Sequence, residues 1–377
     1  MRIETFQMER TQCLYEHVVE INLSESGVLP LRVEELLETP EARERFLAQG
    51  LSYCESDGSR TLRERIAAFY PGCTAENVTI TNGGSEANYV TLWALLGDGG
   101  RLACMLPNYL QGWGLGGAYA RAVDAFHLVR REQNGVRRWA LDVESLERAV
   151  QPDTTAILVC NPNNPTGAVL TAGEMDAVIA AADRVGAWIV ADEIYRGAEV
   201  DTDETTPTFW GRYDRVVITS GLSKAFGMPG LRIGWVVASP EFIAQTWVRH
   251  DYLTLTPGLL NDRLAAIAME PARREQILAR TRHIIRQNLP AVENWLATHG
   301  DQFRYVRPCA GAIAYFEYGF GLDSVELNDR LRREQSVLLV PAGHFGVRDG
   351  LRVGFGYSAE KTVRGLERLG VLLRLQR

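Results

Sequence analysis

The sequence contains almost no lysine. Of its 40 basic residues, only Lys224 and Lys361 are lysines, and arginine supplies the other positive charges. A guanidinium stays protonated and delocalised at neutral pH, so arginine cannot replace an amine as a nucleophile. Lys361 lies in the segment SAEKTVRGLERL, whose pattern is typical of the exposed face of a terminal helix. Lys224 is therefore the first candidate for amine chemistry.

Several other features are missing as well. There is no run of about 18 apolar residues that would predict a membrane span, and the first residues, MRIETFQMERTQ, lack the apolar stretch of a secretory signal. The six cysteines occur without C-x-x-C pairs or a metal-ligand spacing with histidine, so we expect free thiols and no metal site. The net charge of −7 has the wrong sign for a nucleic-acid-binding protein. We expect a cytoplasmic protein that acts on small molecules.

Short β-branched segments alternate with helical patterns between about residues 50 and 240. This alternation predicts an α/β fold with a mostly parallel central sheet and helices on both faces. Thr171 and Glu174 form a capping-box pattern at the start of one such helix. After residue 260 we expect a long charged helix from Asn261, followed by the rest of a smaller α+β domain. The predicted strands are 78–81, 101–105, 155–160, 187–191, 215–219 and 233–237. The predicted division is an N-terminal segment joining the small domain (1–45), a large cofactor-binding domain (46–260) and a small C-terminal domain (261–377).

Three predicted strands run directly into polar side chains. Ligands of open parallel sheets bind beyond the carboxyl ends of the strands, so these positions indicate a site. Each group alone has an ordinary explanation as a turn, a cap or a solvated side chain. The strand AILVC precedes NPNNPTG, which contains Asn164; AWIVA precedes Asp192 and Tyr195; and RVVITS precedes Ser223, in the segment GLSK that contains Lys224. Together these groups favour one ligand, pyridoxal phosphate (PLP).

The chemistry of PLP matches these side chains. A buried carboxylate such as Asp192 keeps the ring nitrogen protonated, and Tyr195 and Asn164 can donate hydrogen bonds to the phenolate oxygen O3′. The segment TNGGSEA predicts a glycine turn followed by a helix N-terminus, which would bind the phosphate through backbone N–H groups. Ser223 and Arg232 would complete the phosphate site. The aromatic ring of Tyr109 is a candidate for stacking on the cofactor.

The motifs NPNNPTG, ADEIY and SGLSKAFGMPGLRIGW, in this order and spacing, closely resemble those of the class I/II aminotransferases, which are fold-type-I PLP enzymes. The resemblance covers most of the chain. It implies that Lys224 holds PLP as a Schiff base and that an amino group passes between an α-amino acid and a 2-keto acid. It also implies that Arg352 binds the substrate α-carboxylate, and that the enzyme is a homodimer in which Tyr53 reaches the phosphate in the partner subunit. The implied phosphate ligands are Gly84, Ser85, Ser223 and Arg232.

Two stretches depart from the family pattern. NLSESGV, at 22–28, stands where the family has a glycine-led substrate loop, and Gly27 is its candidate substrate-binding residue. The stretch WVRHDYLT, at 247–254, falls in a substrate-facing region. The element S-x-S-G-V also has a likeness to capreomycidine synthase, a PLP enzyme that cyclises a hydroxyarginine derivative instead of transaminating it.

Three classes of function therefore stay open. The first is an amino-acid aminotransferase, and the alternative is a PLP-dependent lyase or cyclase. A non-enzymatic PLP-fold regulator or a nicotinamide-binding Rossmann protein is disfavoured, because no G-x-G-x-x-G follows the first strand and no DNA-binding arm precedes the domain. The substrate side chain is open too: dicarboxylic, aromatic and basic amino acids are all compatible, and Arg249 is the candidate for binding a second carboxylate.

Overall fold

The computed structural model describes residues 3–133 and 135–374 of the chain. These residues form helices packed around a large sheet, together with two smaller sheets. In chain order the strands are β1 (Ile21–Asn22), β2 (Val78–Thr81), β3 (Arg101–Leu106), β4 (Ala122–Gln133), β5 (Val136–Leu141), β6 (Thr154–Cys160), β7 (Trp188–Asp192), β8 (Val216–Gly221), β9 (Gly234–Val237), β10 (Phe303–Tyr305), β11 (Ile313–Tyr318), β12 (Val337–Leu338), β13 (Val340–Pro341) and β14 (Leu351–Gly354).

The helices begin at local signals that the sequence contains. Thr171 Oγ1 accepts a hydrogen bond from the Glu174 amide at 3.2 Å, and Glu174 Oε2 accepts one from the Thr171 amide at 2.8 Å, which confirms the predicted capping box. The α-helices are α1 (Gln7–Tyr15), α2 (Val33–Leu36), α3 (Pro40–Leu47), α4 (Arg60–Ala67), α5 (Gly84–Leu96), α6 (Gln111–Tyr119), α7 (Val143–Ala149), α8 (Ala172–Val185), α9 (Pro240–His250), α10 (Leu259–Ala268), α11 (Pro271–Thr298), α12 (Ser324–Gln335) and α13 (Ala359–Arg374). Short 3-10 helices cover Ala75–Asn77, Pro229–Leu231, Gly300–Gln302 and Ala342–Phe345.

The large sheet has eight strands in the order β2-β9-β8-β7-β6-β3-β4-β5. Six of them run in one direction, while β5 and β9 run antiparallel to their neighbours. Side chains of the central strands, such as Ile157 and Val190, have no exposed surface. Burial on both faces is what a mostly parallel sheet covered by helices requires. The predicted α/β fold is confirmed.

The C-terminal part of the chain forms a smaller α+β unit. Its antiparallel sheet has the order β10-β11-β14-β13, and α11, α12 and α13 are the helices of the same region. The N-terminal strand β1 pairs in parallel with β12, with Ile21 opposite Val337. This pairing attaches the start of the chain to the C-terminal region and carries the segment after β1 toward β14.

The structure differs from the sequence prediction in two places. The last two strands of the sheet, β4 and the edge strand β5, were not predicted, because their charged stretch, including Arg130 and Arg131, hides the alternation of a strand exposed on one side. The prediction of a single long helix from Asn261 is wrong. It is divided into α10 and α11, because Pro271 has no N–H to continue a helix and instead occupies the first turn of α11.

Candidate active site

The carboxyl ends of β6, β7 and β8 meet the N-terminus of α5 around a cavity of about 310 Å³. This position is where the parallel-sheet rule places a ligand. The cavity is lined by ten of the predicted site residues, namely Gly84, Ser85, Tyr109, Asn164, Asp192, Tyr195, Ser223, Lys224, Arg232 and Arg352. Residues that are up to 268 positions apart in the chain therefore share one wall.

Lys224 follows β8 and extends its amine into the cavity. Its Nζ donates a hydrogen bond to Oε1 of Glu25 at 2.8 Å. Burial lowers the pKa of Lys224, but the negative charge of Glu25 more than compensates, and the pKa is raised above its usual value. The amine is thus a protonated cation that lies beside a carboxylate in a half-buried position. Lys361, the second lysine, lies on α13 and is not part of the cavity wall.

Asp192, the last residue of β7, faces the same cavity from the strand next to β8. Its Oδ2 accepts a hydrogen bond from Asn88 Nδ2 at 3.0 Å, and Thr219 Oγ1 donates to Asn88 Oδ1 at 2.6 Å. Burial raises the pKa of Asp192, against the opposing effect of the hydrogen bonds from Asn88 and the Ile194 amide. A buried carboxylate with a raised pKa is stabilised as an anion by a cation placed next to it. A protonated pyridine nitrogen is such a cation, so Asp192 fits PLP.

The N-terminus of α5 offers free backbone N–H groups to the cavity. Gly83 precedes it with a φ of +94°, a conformation that favours glycine. A Cβ atom on Gly83 would lie 2.4 Å from Nη2 of Arg232, so the guanidinium covers this turn closely. Arg232 itself adopts a left-handed conformation (φ +48°) at the end of the 3-10 helix Pro229–Leu231. A helix N-terminus beside a guanidinium is suited to a phosphate group.

Arg352, on β14, is buried and contacts the predicted residue Asn164 and the backbone of Ser24. Its Nη1 donates to Oδ1 of Asn164 at 2.9 Å, and its Nη2 donates to the carbonyl oxygen of Ser24. Its Nε has no hydrogen-bond partner among the residues that the structure describes. Since a buried N–H without an acceptor is costly, this atom is suited to a carboxylate oxygen that enters the cavity. The bond to Arg352 also orients Asn164 so that its NH₂ group stays available.

Tyr195 and Tyr109 contact residues from the N-terminal part of the chain. Tyr195 donates its phenolic hydrogen to Ser26 Oγ at 2.9 Å, and burial raises the pKa of Tyr195, so the phenol is neutral. Tyr109 donates to Glu9 Oε1 at 2.9 Å. Helix α1, which carries Glu9, thereby covers one side of the cavity, a contact that the sequence did not predict.

Two predicted site residues are not part of the cavity wall. Tyr53 is 84% exposed and lies outside the cavity. Gly27 is close behind the wall: its amide donates to Glu25 Oε1 at 2.9 Å, and a Cβ atom there would lie 3.1 Å from the carbonyl oxygen of Ser223.

The two stretches that depart from the family pattern, 22–28 and 247–254, differ in their position relative to the cavity. Glu25 and Ser26, from 22–28, lie in the cavity wall. In 247–254, Thr254 donates to Glu86 Oε1 at 2.7 Å behind the turn that precedes α5. Arg249 does not line the cavity; it donates to the Gln245 carbonyl at 2.8 Å and its guanidinium lies over the Trp93 ring.

Sequence reasoning missed three residues that matter in this arrangement: Glu25, Ser26 and Asn88. Asn88 had a readable signal, because it lies one turn after Ser85 on the helix predicted to bind phosphate. Glu25 and Ser26 were part of an unusual stretch, but no periodicity indicated that their side chains reach Lys224 and Tyr195.

The sequence also led us to expect free thiols, no metal site and no membrane-spanning segment. All six cysteines are free thiols, and Cys160 is one that lines the cavity. Within residues 3–133 and 135–374, no cluster of three or more His, Cys, Asp and Glu side chains is arranged to hold a metal ion. In the same residues, none of the helices combines the length and apolarity needed to cross a bilayer.

Lys224 follows β8, Asp192 ends β7, and the N-terminus of α5 lies at the same cavity. This arrangement on a mostly parallel sheet defines a PLP-dependent enzyme of fold type I. The chain belongs to the family of class I and II aminotransferases, since the profile described as "Aminotransferase class I and II" matches residues 22–369. It is 31% identical to capreomycidine synthase of Streptomyces vinaceus over 85% of this chain and 81% of that protein.

Solved structures give the same family with different reactions. The structure of a PLP-dependent aminotransferase from Streptococcus suis has a TM-score of 0.89 and 29% identity, and the alignment covers 100% of this chain and 99% of that one. The structure of the PLP-dependent cyclase OrfR has a TM-score of 0.88 and 27% identity, with coverage of 100% and 99%. The chain is thus similar both to an aminotransferase and to two enzymes with other names, a cyclase and a synthase.

Proposed function

We propose that this enzyme transfers an amino group between an α-amino acid and a 2-keto acid, and that Lys224 holds PLP covalently through its amine. The observation that carries the proposal is that Lys224 and Asp192 face one cavity from neighbouring strand ends. An amine that captures an aldehyde and an anion that pairs with the ring nitrogen are the two groups PLP chemistry needs most. A phosphate-binding helix N-terminus lies at the same cavity.

The remaining roles follow from the contacts around the cavity. When bound, PLP supplies an acceptor for the electron pair that is left when a bond to the substrate Cα breaks. Asp192 would hold the proton on the ring nitrogen. Asn164 would donate a hydrogen bond to O3′, and Tyr195 would do so by turning its phenolic hydrogen from Ser26 to the cofactor. Tyr109 would stack on the ring, and the phosphate would be bound by Gly84, Ser85, Ser223 and Arg232.

The substrate is bound and deprotonated by groups on both sides of the cavity. Arg352, whose Nε has no hydrogen-bond partner within residues 3–133 and 135–374, binds the α-carboxylate, with the backbone of Gly27 beside it. The free Lys224 amine would take the proton from the substrate Cα and would deliver a proton to C4′, the carbon through which the cofactor is joined to the amino nitrogen.

We further propose a cytoplasmic homodimer in which Tyr53 reaches the partner's phosphate site. The support is that Tyr53 is a large side chain, 84% exposed, and outside the cavity of its own chain. The free thiols of all six cysteines are compatible with a reducing compartment. We also retain the division into 1–45, 46–260 and 261–377 as a proposal; its outermost residues, 1–2 and 375–377, lie outside the described part of the chain.

A PLP-dependent lyase or cyclase is the second candidate. The similarity to capreomycidine synthase and to OrfR supports it, and so does the placement of Glu25 and Ser26, from the unusual 22–28 stretch, in the cavity wall. The two candidates differ in their products. A lyase or cyclase releases ammonia or a ring product, whereas an aminotransferase converts a keto acid to an amino acid.

The test uses the fact that the chain has two lysines. Borohydride reduction followed by peptide mass spectrometry should place the cofactor on Lys224 in the wild type and in Lys361→Arg, and on neither lysine in Lys224→Arg. The cofactor absorbance is then followed with each of the standard amino acids, and a keto acid that restores it identifies amino transfer. Labelling that persists in Lys224→Arg would contradict the proposal, and release of ammonia or a ring product without restoration by a keto acid would select the second candidate.

A further inference from the structure

Glu25 and Lys224 form an ion pair at the centre of the cavity, across 199 residues of sequence. Lys224 Nζ lies 2.8 Å from Glu25 Oε1, and the two side chains are only 24% and 25% exposed. At this separation and burial the attraction between the charges is much stronger than at the surface. The pair therefore has a direct effect on the protonation of the amine.

Glu25 does not depend on the lysine for its position. Its Oε1 also accepts hydrogen bonds from the amides of Ser26 and Gly27, each at 2.9 Å. These bonds are local, so they persist when Lys224 moves to bind the cofactor. Although burial opposes ionisation, Lys224 and these hydrogen bonds lower the pKa of Glu25 to about 2. Glu25 is therefore a fixed anion at every pH at which the enzyme would work.

The other groups that face the pair do not replace this charge. Tyr195 and Tyr357 are phenols whose pKa is raised by burial, so both are neutral near pH 7. Arg352 is a cation, and its charge acts against protonation of Lys224. Among the described residues that influence Lys224, Glu25 is the anion that favours the ammonium form.

We propose that Glu25 sets the proton affinity of Lys224: it stabilises the ammonium that forms when the released amine takes a proton from the substrate. The inference rests on the proposed function, in which Lys224 is the cofactor-binding base. The proton moves from Cα to Nζ, the C–H electron pair stays on the substrate side, and the new positive charge lies against Glu25. Neither an additional reactant nor a change in oxidation state is required.

The small number of lysines makes the proton affinity directly measurable. Lysine labelled with ¹³C at Cε gives signals from Lys224 and Lys361 alone, and Lys361→Arg assigns them. In the apo-enzyme, Glu25→Gln should lower the pH at which the Lys224 signal titrates by about one to three pH units, because burial and Arg352 then act unopposed. Glu25→Asp retains the charge and should produce a smaller shift.

The control is Glu334→Gln. It removes the same charge from an exposed pair with Arg330 on α12, so the Lys224 titration should not change. The Lys361 signal is a second control within every sample. If Lys224 titrates at the same pH in Glu25→Gln as in the wild type, the inference is overturned. If Glu25→Gln does not fold, Glu25→Ala removes the same carboxylate, and an unchanged Lys224 titration in that variant has the same consequence.

Two rates should change in opposite directions, which structural damage alone would not cause. A lysine with a lower pKa has more free amine at pH 7, about tenfold more per pH unit, so Glu25→Gln should capture PLP faster. As a weaker base it should remove the substrate proton more slowly, and kcat should fall. Borohydride reduction separates two negative outcomes. If the cofactor is attached to Lys224 in the wild type and in Glu25→Gln, and the two proteins have the same rate of PLP capture and the same kcat, only this inference fails. If the cofactor is attached to Lys224 in neither protein, the proposed function fails.

Discussion

Arg352 donates a hydrogen bond from Nη1 to Oδ1 of Asn164 at 2.9 Å, which joins β14 of the small sheet to the loop after β6 of the large one. One side chain thus binds the substrate α-carboxylate, in our proposal, and also orients a cofactor-binding amide. Since Arg352 is buried and its two Nη atoms are hydrogen-bonded, its geometry is fixed before a ligand enters. Substrate binding and cofactor orientation are therefore coupled through this bond.

Arg352→Lys should weaken substrate binding without removing the positive charge. A lysine cannot form the planar, two-point contact of a guanidinium, so the loss of one charged hydrogen bond, about 1.5–3 kcal/mol, should reduce kcat/KM by about 10- to 150-fold. Steady-state kinetics with the best amino acid measures this. Arg348→Lys makes the same change at an exposed position and should leave kcat/KM unchanged. An Arg352→Lys enzyme with wild-type kcat/KM would show that Arg352 does not bind the carboxylate.

Asp192→Asn should retain the fold and lose most of the activity. Asparagine has the same size and keeps a hydrogen bond to Asn88, but it has no charge to hold the proton on the ring nitrogen. Removal of a preorganised electrostatic contact of this kind lowers kcat by about 10²–10³. The measurement is kcat at saturating cofactor, with Asp176→Asn, at an exposed ion pair with Arg212, as the control. A kcat near that of the wild type would exclude the assigned role of Asp192.

The parts of the site that were predictable share one physical reason. Asn164, Asp192 and Lys224 each follow a parallel strand within a few residues, and parallel strands bring their carboxyl ends to one edge. Short segments of sequence therefore determined long-range neighbours. The glycine turn before α5 was equally readable, because Gly83 requires a left-handed backbone.

The parts that were not predictable depend on contacts between distant segments without a common pattern. Glu25 reaches Lys224, and Glu9 on α1 reaches Tyr109, because β1 pairs with β12 and brings the N-terminus across the cavity. A two-residue strand such as β1 has too few residues for a hydrophobic period. Strand propensity also did not predict β4, because its charged residues hide the alternation of buried and exposed side chains.

Gly234→Ala should displace the phosphate-binding turn. A Cβ atom at position 234 would lie 2.3 Å from the carbonyl carbon of Gly83 and 2.4 Å from the amide nitrogen of Gly84, and these backbone atoms cannot rotate away. We expect a loss of about 1–3 kcal/mol in the free energy of unfolding from overpacking, and weaker PLP binding. Thermal unfolding of the apo-enzyme and a cofactor titration measure the two effects. Gly173→Ala, where nothing lies within 4 Å of the new atom, should lower neither value, because alanine is also the better helix former in α8. An equally stable Gly234→Ala protein with normal PLP affinity would contradict the close approach.

His344 should make the stability of the apo-enzyme depend on pH. It is 8% exposed, and burial together with the charge of Arg352 lowers the pKa of His344 to about 4. The native protein therefore keeps this imidazole neutral, while the unfolded chain protonates it near its usual pKa of about 6.5. Because the unfolded state binds more protons between these values, the stability contributed by neutral His344 is present above pH 6.5 and is lost as the pH falls toward 4.

Urea unfolding at each pH measures this effect. From pH 7 to 5.5 the free energy of unfolding of the wild type should fall by about 1 kcal/mol more than that of His344→Asn. Contributions of other titrating groups cancel in this difference, and His17→Asn, at an exposed position, should behave as the wild type. Equal pH dependence in the wild type and His344→Asn would mean that His344 is protonated in the native state, beside Arg352.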